Sequence, residues 1–214
     1  LNLAREIVPE IEPRPGAPEG VLDDIKAGKL IEQISNGDLV VCRLTAPLIN
    51  LCIRLIAHRI PARVRGRDIG KQLTSIIRDI ASADGFEWEK FGEFLEDYRL
   101  FRLKRLRQGE GGESQIESFN DRIGGIKVCY QSFRVNSVEQ FNSEIEALFS
   151  DEKAGPVLST VHRAKGLEEN RVFILNPEKM PLCWPKQQDW EAKQELNLKY
   201  VALTRAKEAL YFVQ

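Results

Sequence analysis

The 214-residue sequence predicts an α/β fold, a parallel sheet flanked by helices and interrupted by a small, mostly helical insertion. Short apolar, β-branched runs alternate with helical patterns, 38–43 before 47–59 and 62–65 before 71–81, which is the repeat of a sheet with crossover connections. That alternation stops near Ser82, where a mostly helical stretch begins. Two buried strand patterns, 156–161 and 171–175, then precede a closing helix and a last strand at 209–213.

In chain order, 1–8 has a helical pattern, and Pro9, Pro13, Pro15 and Pro18 make 9–20 an extended connector. A short strand is expected within 20–27 and a short helix over 29–35, closed by Asn36-Gly37. The strand at 38–43 delivers Arg43 and Thr45 to a loop before a densely apolar helix, with Pro47 in its first turn and Ile60-Pro61 at its end. Within the insertion, 86–108 is one long helical pattern carrying Phe91, Phe94, Leu95, Tyr98 and Phe101. It ends in a basic run, Arg99, Arg102, Lys104, Arg105 and Arg107, which either tracks phosphates or is a solvated face balanced by Glu87, Glu89, Glu93, Glu96 and Asp97. The Gly-rich stretch at 109–112 breaks that helix, a second covers 114–123, and Gly124-Gly125 is expected to end it, leaving 126–133 as helix or strand. An amphipathic helix at 138–149, N-capped by Asn136 or Ser137, leads back to the sheet.

Most of the candidate chemistry lies in the last 60 residues. The strand at 156–161 runs into His162-Arg163 and a charged turn, Ala164-Lys165-Gly166-Leu167-Glu168, before the next strand begins. So short a connection places Thr160, His162, Lys165 and Glu168 along one sheet edge, the edge where open α/β sheets bind ligands. The helix at 195–206 is apolar on two faces and is expected to be sandwiched. Arg205, seven residues after Leu198, continues one apolar stripe; a guanidinium there needs a partner, and a phosphate matches its fork geometry. In the Pro-rich loop 175–189, Trp184 either offers a stacking platform or plugs its own loop onto the core.

Composition narrows the classes. With Lys+Arg 31 against Asp+Glu 32, net charge gives no support for nucleic acid, and any basic patch must be local. No apolar run approaches membrane-spanning length, the start lacks a signal-peptide pattern, and no membrane partner is expected. Cys42, Cys52, Cys129 and Cys183 lack CxxC spacing, and His58 and His162 are the two histidines, so neither zinc nor disulfides are expected and a reducing cytoplasm fits. No GxxxxGK[ST] phosphate cradle occurs between Leu1 and Gln214.

TVHRAKGLE at 160–168 and ELNLKYVALTRAK at 195–207 resemble motifs V and VI of the superfamily 1 DNA helicases of the UvrD/PcrA/Rep type. The segment VVCRLTAPLINLCIRLIAHRIPARVRG at 40–66 resembles motif IVa, with Arg43-Leu44-Thr45 where the family has Arg-Thr-Asn. The resemblance implies a second RecA-like motor domain, discontinuous over 1–81 and 135–214 with a small helical accessory insertion at 82–134, the C-terminal part of a longer motor and inactive alone. It assigns Arg205 to the γ-phosphate of ATP as an arginine finger, Glu168 to the nucleotide sugar and Gly166 to the lining of that site. Thr160, His162 and Lys165, with the loop of Arg43 and Thr45, would face DNA, either a single strand or a duplex junction. ATP with Mg would be held mainly by the N-terminal motor domain of the same protein. A non-catalytic module that binds nucleic acid or protein is the alternative.

Overall fold

The computed structural model describes residues 2–13, 15–16, 19–109, 112–149 and 155–214, so Leu1, Pro18, and Glu110 and Gly111 of the expected Gly-rich break lie outside the described residues. In chain order the elements are α1 Asn2–Arg5, β1 Val21–Ile25, α2 Leu30–Gln33, β2 Leu39–Cys42, α3 Thr45–Ala57, β3 Arg63–Val64, α4 Arg67–Ala81, α5 Phe91–Gln108, α6 Glu113–Ser132, α7 Val138–Leu148, β4 Val157–Thr160, β5 Glu169–Leu175, α8 Asp189–Leu203 and β6 Ala206–Val213. The strands form one sheet in the order β1-β6-β5-β2-β4-β3, and every neighbouring pair is parallel. This is the parallel α/β sheet that the alternating pattern predicts, in the RecA-like form that the resemblance implies.

Burial on both faces explains why the central strands are continuously apolar. Val40, Cys42, Leu158, Phe173 and Leu175 point into one core with helices α3 to α7. Leu39, Val41, Val172 and Ile174 point to the other side, where they pack with Ala202 of α8. Residues 82–134 do not stand apart: Phe91, Leu95 and Leu103 of α5 and Ile116, Phe119 and Ile123 of α6 share the first core with Leu48, Ile49 and Cys52 of α3. A ring cluster of Trp88, Phe91, Tyr130 and Phe141, with centroids 5.0–6.1 Å apart, ties this hairpin to α7, and Trp88 Nε1 donates to Val135 O at 3.2 Å.

Two expectations change. α6 runs unbroken through Gly124-Gly125 because these glycines serve helix packing, not a turn. A Cβ at Gly125 would stand 2.9 Å from Ile49 Cδ1, so its absence lets α6 close onto α3, while one at Gly124 would make an ordinary 3.5 Å contact with Ala46 Cβ. The second change concerns α8, which covers the sheet with one face only. Its Trp190 and Leu196 are exposed, so its outer face is not covered as a sandwiched helix would be. Cys42, Cys52 and Cys129 are free and buried, and burial pushes their thiols up to about 12. Among the described residues no helix is long and apolar enough to cross a membrane.

Candidate functional sites at the two edges of the sheet

In an all-parallel sheet, a residue that precedes a strand and one that follows a strand stand on opposite edges. Glu168 precedes β5 and Arg205 precedes β6, and these neighbours pair from their first residues, Glu169 with Ala206. Glu169 N donates to Arg205 O at 3.2 Å, which brings the two side chains together, Arg205 Nη1 lying 3.7 Å from Glu168 Oε1. The Arg205 guanidinium, 15% exposed, is held in place: Nε donates to Val201 O at 2.9 Å, Nη1 to Leu167 O at 3.2 Å and Nη2 to Thr204 Oγ1 at 3.0 Å. Its place beside the last turn of α8 also suits a cation, since the carbonyl end of a helix is negative. Gly166 has φ +86 with nothing within 4 Å of where a Cβ would be, so the left-handed backbone and not crowding calls for glycine. A forked cation, an exposed carboxylate and an uncovered glycine therefore meet at the amino edge.

The carboxyl edge carries a different set. β2 delivers Arg43 and Thr45, β4 delivers Thr160 and His162, and a cleft of about 280 Å³ opens between them and Ser114, Ser118, Asp121 and Arg122 of α6. Arg43 makes a bidentate pair with Glu195 of α8, Nη2 to Oε1 at 2.6 Å and Nε to Oε2 at 2.9 Å, and Glu195 also accepts from Leu182 N at 3.1 Å. Thr45 is buried and opens α3. Its N–H donates to the Asp121 carboxylate at 2.8 and 2.9 Å, as does the Ala46 N–H at 3.1 Å, so a side chain from α6 fills the anion-binding end of α3. Arg163 is ion-paired to Asp68. His162 keeps a surface open to solvent, yet desolvation by its surroundings, then the charge of Arg43, lowers its pKa below the ordinary imidazole value against the opposing pull of Glu195.

Thr160, His162 and Glu168 thus do not share one edge, as the short connection suggested. β4 and β5 are both parallel to β2, which lies between them, so the chain must cross the sheet to start β5. Residues 161–168 make that crossing over the α8 face, with Val161 and Ala164 buried and Leu167 packed beside them. Lys165 lies exposed on this bridge. The seven residues of β5 at about 3.3 Å each put the edges roughly 20 Å apart. Trp184 is half-buried, and its carbonyl accepts from Gln187 N at 3.3 Å within its own loop.

Sequence reasoning missed Glu195 and Asp121. Glu195 was within reach: 195, 198, 202 and 205 fall at helical spacing, so the stripe that carries Arg205 just past the end of α8 carries a carboxylate at its other end. Asp121 gives no such signal, since its partner Thr45 is 76 residues away. Among the described residues no group of three or more His, Cys, Asp or Glu could hold a metal ion.

Residues 72–214, well over half the chain, match the model of the UvrD-like helicase C-terminal domain. The chain is 32% identical over 153 residues to "Putative ATP-dependent DNA helicase YjcD" of Bacillus subtilis, covering 66% of this chain and 19% of that protein. It is 28% identical over 123 residues to DNA helicase II of Haemophilus influenzae, covering 52% and 17%, and 39% identical over 66 residues to ATP-dependent DNA helicase PcrA of Staphylococcus aureus, covering 29% and 9%. The chain thus spans about a fifth or less of the length of these relatives. With a parallel RecA-like sheet, the VHRAKGLE and VALTRAK segments at the start of adjacent strands, and this match, the chain belongs to the UvrD-like helicase C-terminal domain family.

Proposed function

We propose that this chain is the second motor domain of an ATP-dependent DNA helicase or translocase, supplying an arginine finger and part of a single-stranded DNA track. The observation that carries this reading is the convergence of Arg205, Glu168 and Gly166 at the amino edge, with Arg205 preorganised by three hydrogen bonds before any ligand arrives. This set fits a terminal phosphate and a sugar hydroxyl. Among the described residues no cluster of three or more carboxylate, His or Cys groups could hold Mg, and the sequence has no GxxxxGK[ST], so ATP with Mg would be held mainly by an N-terminal motor domain facing this edge. Bound there, the nucleotide supplies the phosphoryl group. Arg205 places its fork where charge develops on it, Glu168 orients the sugar, and closure of the two domains excludes water. Thr160, His162, Lys165, Arg43 and Thr45 would form the DNA side, toward a single strand or a duplex junction, in a cytoplasmic protein.

A second reading, a non-catalytic nucleic-acid- or protein-binding module, draws on the carboxyl edge. There Arg43 and Arg163 are already paired with carboxylates, and the N-terminus of α3 is already capped. The deciding test is Arg205→Ala in this chain joined to its P-loop motor domain. DNA-stimulated ATP turnover is expected to fall about 10³–10⁵-fold while strand affinity changes little. Thermal unfolding of the same variant separates this from a packing defect, and unchanged turnover overturns the assignment.

A further inference from the structure

The C-terminal half of α5 carries a surface that the motor reading leaves unused. Its last ten residues hold Arg99, Arg102, Lys104, Arg105 and Arg107 and no acid, while Glu93, Glu96 and Asp97 are confined to the first half. Arg99 is paired with Glu96 at 2.5 Å, but among the described residues none of the other four cations has a carboxylate partner. The helix dipole favours cations only in the last turn, so it accounts for Arg105 and Arg107 but not for Arg102. Two apolar side chains stand among these charges, Leu100 at 53% and Phe101 at 58% exposure, and the Arg105 guanidinium lies 5.8 Å from the Phe101 ring centroid. Phe91, Leu95 and Leu103 already bury the other side of the helix, so packing does not explain Phe101.

The position of this face matters as much as its composition. Phe91 meets Tyr130 at 5.0 Å and Tyr98 meets Phe119 at 6.4 Å, so α5 and α6 run antiparallel. The basic end of α5 therefore lies beside the first turns of α6, whose Ser114 and Ser118 line the carboxyl-edge cleft. A strand leaving that cleft along α6 would meet the α5 face next. Backbone-tracking cations around an exposed ring are the chemistry of single-strand binding, because any base can stack on the ring while phosphates meet the cations.

We infer that the exposed face of α5 is a second single-stranded DNA contact, with phosphates on Arg102, Lys104, Arg105 and Arg107 and a base stacked on Phe101. The inference rests on the motor reading only in having the strand enter from the carboxyl edge. Its test is fluorescence anisotropy of the chain with labelled oligo-dT of increasing length at several salt concentrations, comparing wild type, Phe101→Ala, the triple variant Lys104→Gln/Arg105→Gln/Arg107→Gln, and His162→Ala. Phe101→Ala is expected to weaken long oligonucleotides about 5–150-fold, the loss typical of one stacked base. The triple variant should lower the salt slope by about 2, three phosphates at roughly 0.7 each. Oligonucleotides short enough to fill only the cleft should bind both variants as they bind wild type. If the α5 variants bind long strands with unchanged affinity and slope while His162→Ala weakens them, the α5 site falls and the carboxyl-edge track stands. The reverse pattern keeps the α5 site and removes the track. Duplex DNA bound as tightly as oligo-dT, with no loss on Phe101→Ala, overturns the stacking contact.

Discussion

Arg43 is where structural and DNA-binding roles compete for one side chain. Its guanidinium is 15% exposed and faces a carboxylate that is 5% exposed, at 2.6 Å, so removing either partner leaves the other charge largely desolvated. Glu195→Gln keeps the shape of the side chain but removes its charge and turns an amide N–H₂ or a single oxygen toward the fork. It should lower stability by about 3 kcal/mol, the low end for breaking a buried pair because Arg43 keeps some access to solvent. The same change frees Arg43 for a phosphate, so affinity for single-stranded DNA should rise and the salt slope steepen by about 0.7. Urea unfolding and an oligonucleotide titration of one preparation give both numbers. Lost stability with an unchanged slope would assign Arg43 to the scaffold alone. His162, held neutral near pH 7 by desolvation and by Arg43, would meet a strand as a hydrogen-bonding ring rather than as a cation.

The packing of α6 on α3 shows how far local sequence reading carries an element. Periodicity located β2, α3, α4 and α7 to within a few residues, because each buries an apolar stripe or run whose spacing is written locally. It failed at Gly124-Gly125 because a glycine pair that opens a turn and one that admits a neighbouring helix look identical until the neighbour is known. It failed on the outer face of α8 for a related reason: Trp190 and Leu196 are apolar yet exposed, and their type alone does not tell a covered face from an open one. Close approach makes a prediction with a change of sign. Gly125→Ala should cost about 1 kcal/mol, since its Cβ would press on Ile49 Cδ1 at 2.9 Å, even though alanine is the better helix former by about the same amount. In an Ile49→Val background the pressing atom is gone, and the same change should become stabilising. A double-mutant cycle by thermal denaturation reads this directly, and additive effects would show that α3 and α6 are not in tight contact at this point.

Across the whole molecule, the two candidate sites are separated by the sheet and joined by two ties. One is the crossing at 161–168; the other is α8, whose buried stripe starts at Glu195 by the carboxyl edge and is continued by Arg205, two residues past the helix end, at the amino edge. Gly166, Glu168, Arg205 and His162 were legible in the VHRAKGLE and VALTRAK segments, but Glu195, Asp121 and the split across two edges were not, because the split follows from β2 lying between β4 and β5, a fact of topology that no local spacing records. Under the proposed function, the crossing is what would let a strand bound near His162 influence a nucleotide near Glu168. Gly166 is its most sensitive point. At φ +86 an alanine is strained by about 1–2 kcal/mol, yet with open space around it nothing else need move, so the strain should relax by shifting the turn that carries Glu168. Taken from the transition state, that energy corresponds to about 5–30-fold in rate. Gly166→Ala, in the chain joined to its P-loop motor domain, should therefore lower DNA-stimulated ATP turnover by this factor and leave oligo-dT affinity within about twofold, since the carboxyl-edge residues stay in place. Steady-state turnover with and without oligo-dT, beside an anisotropy titration, measures both. If affinity falls as far as turnover, the crossing is part of the strand site itself and not a link between two sites.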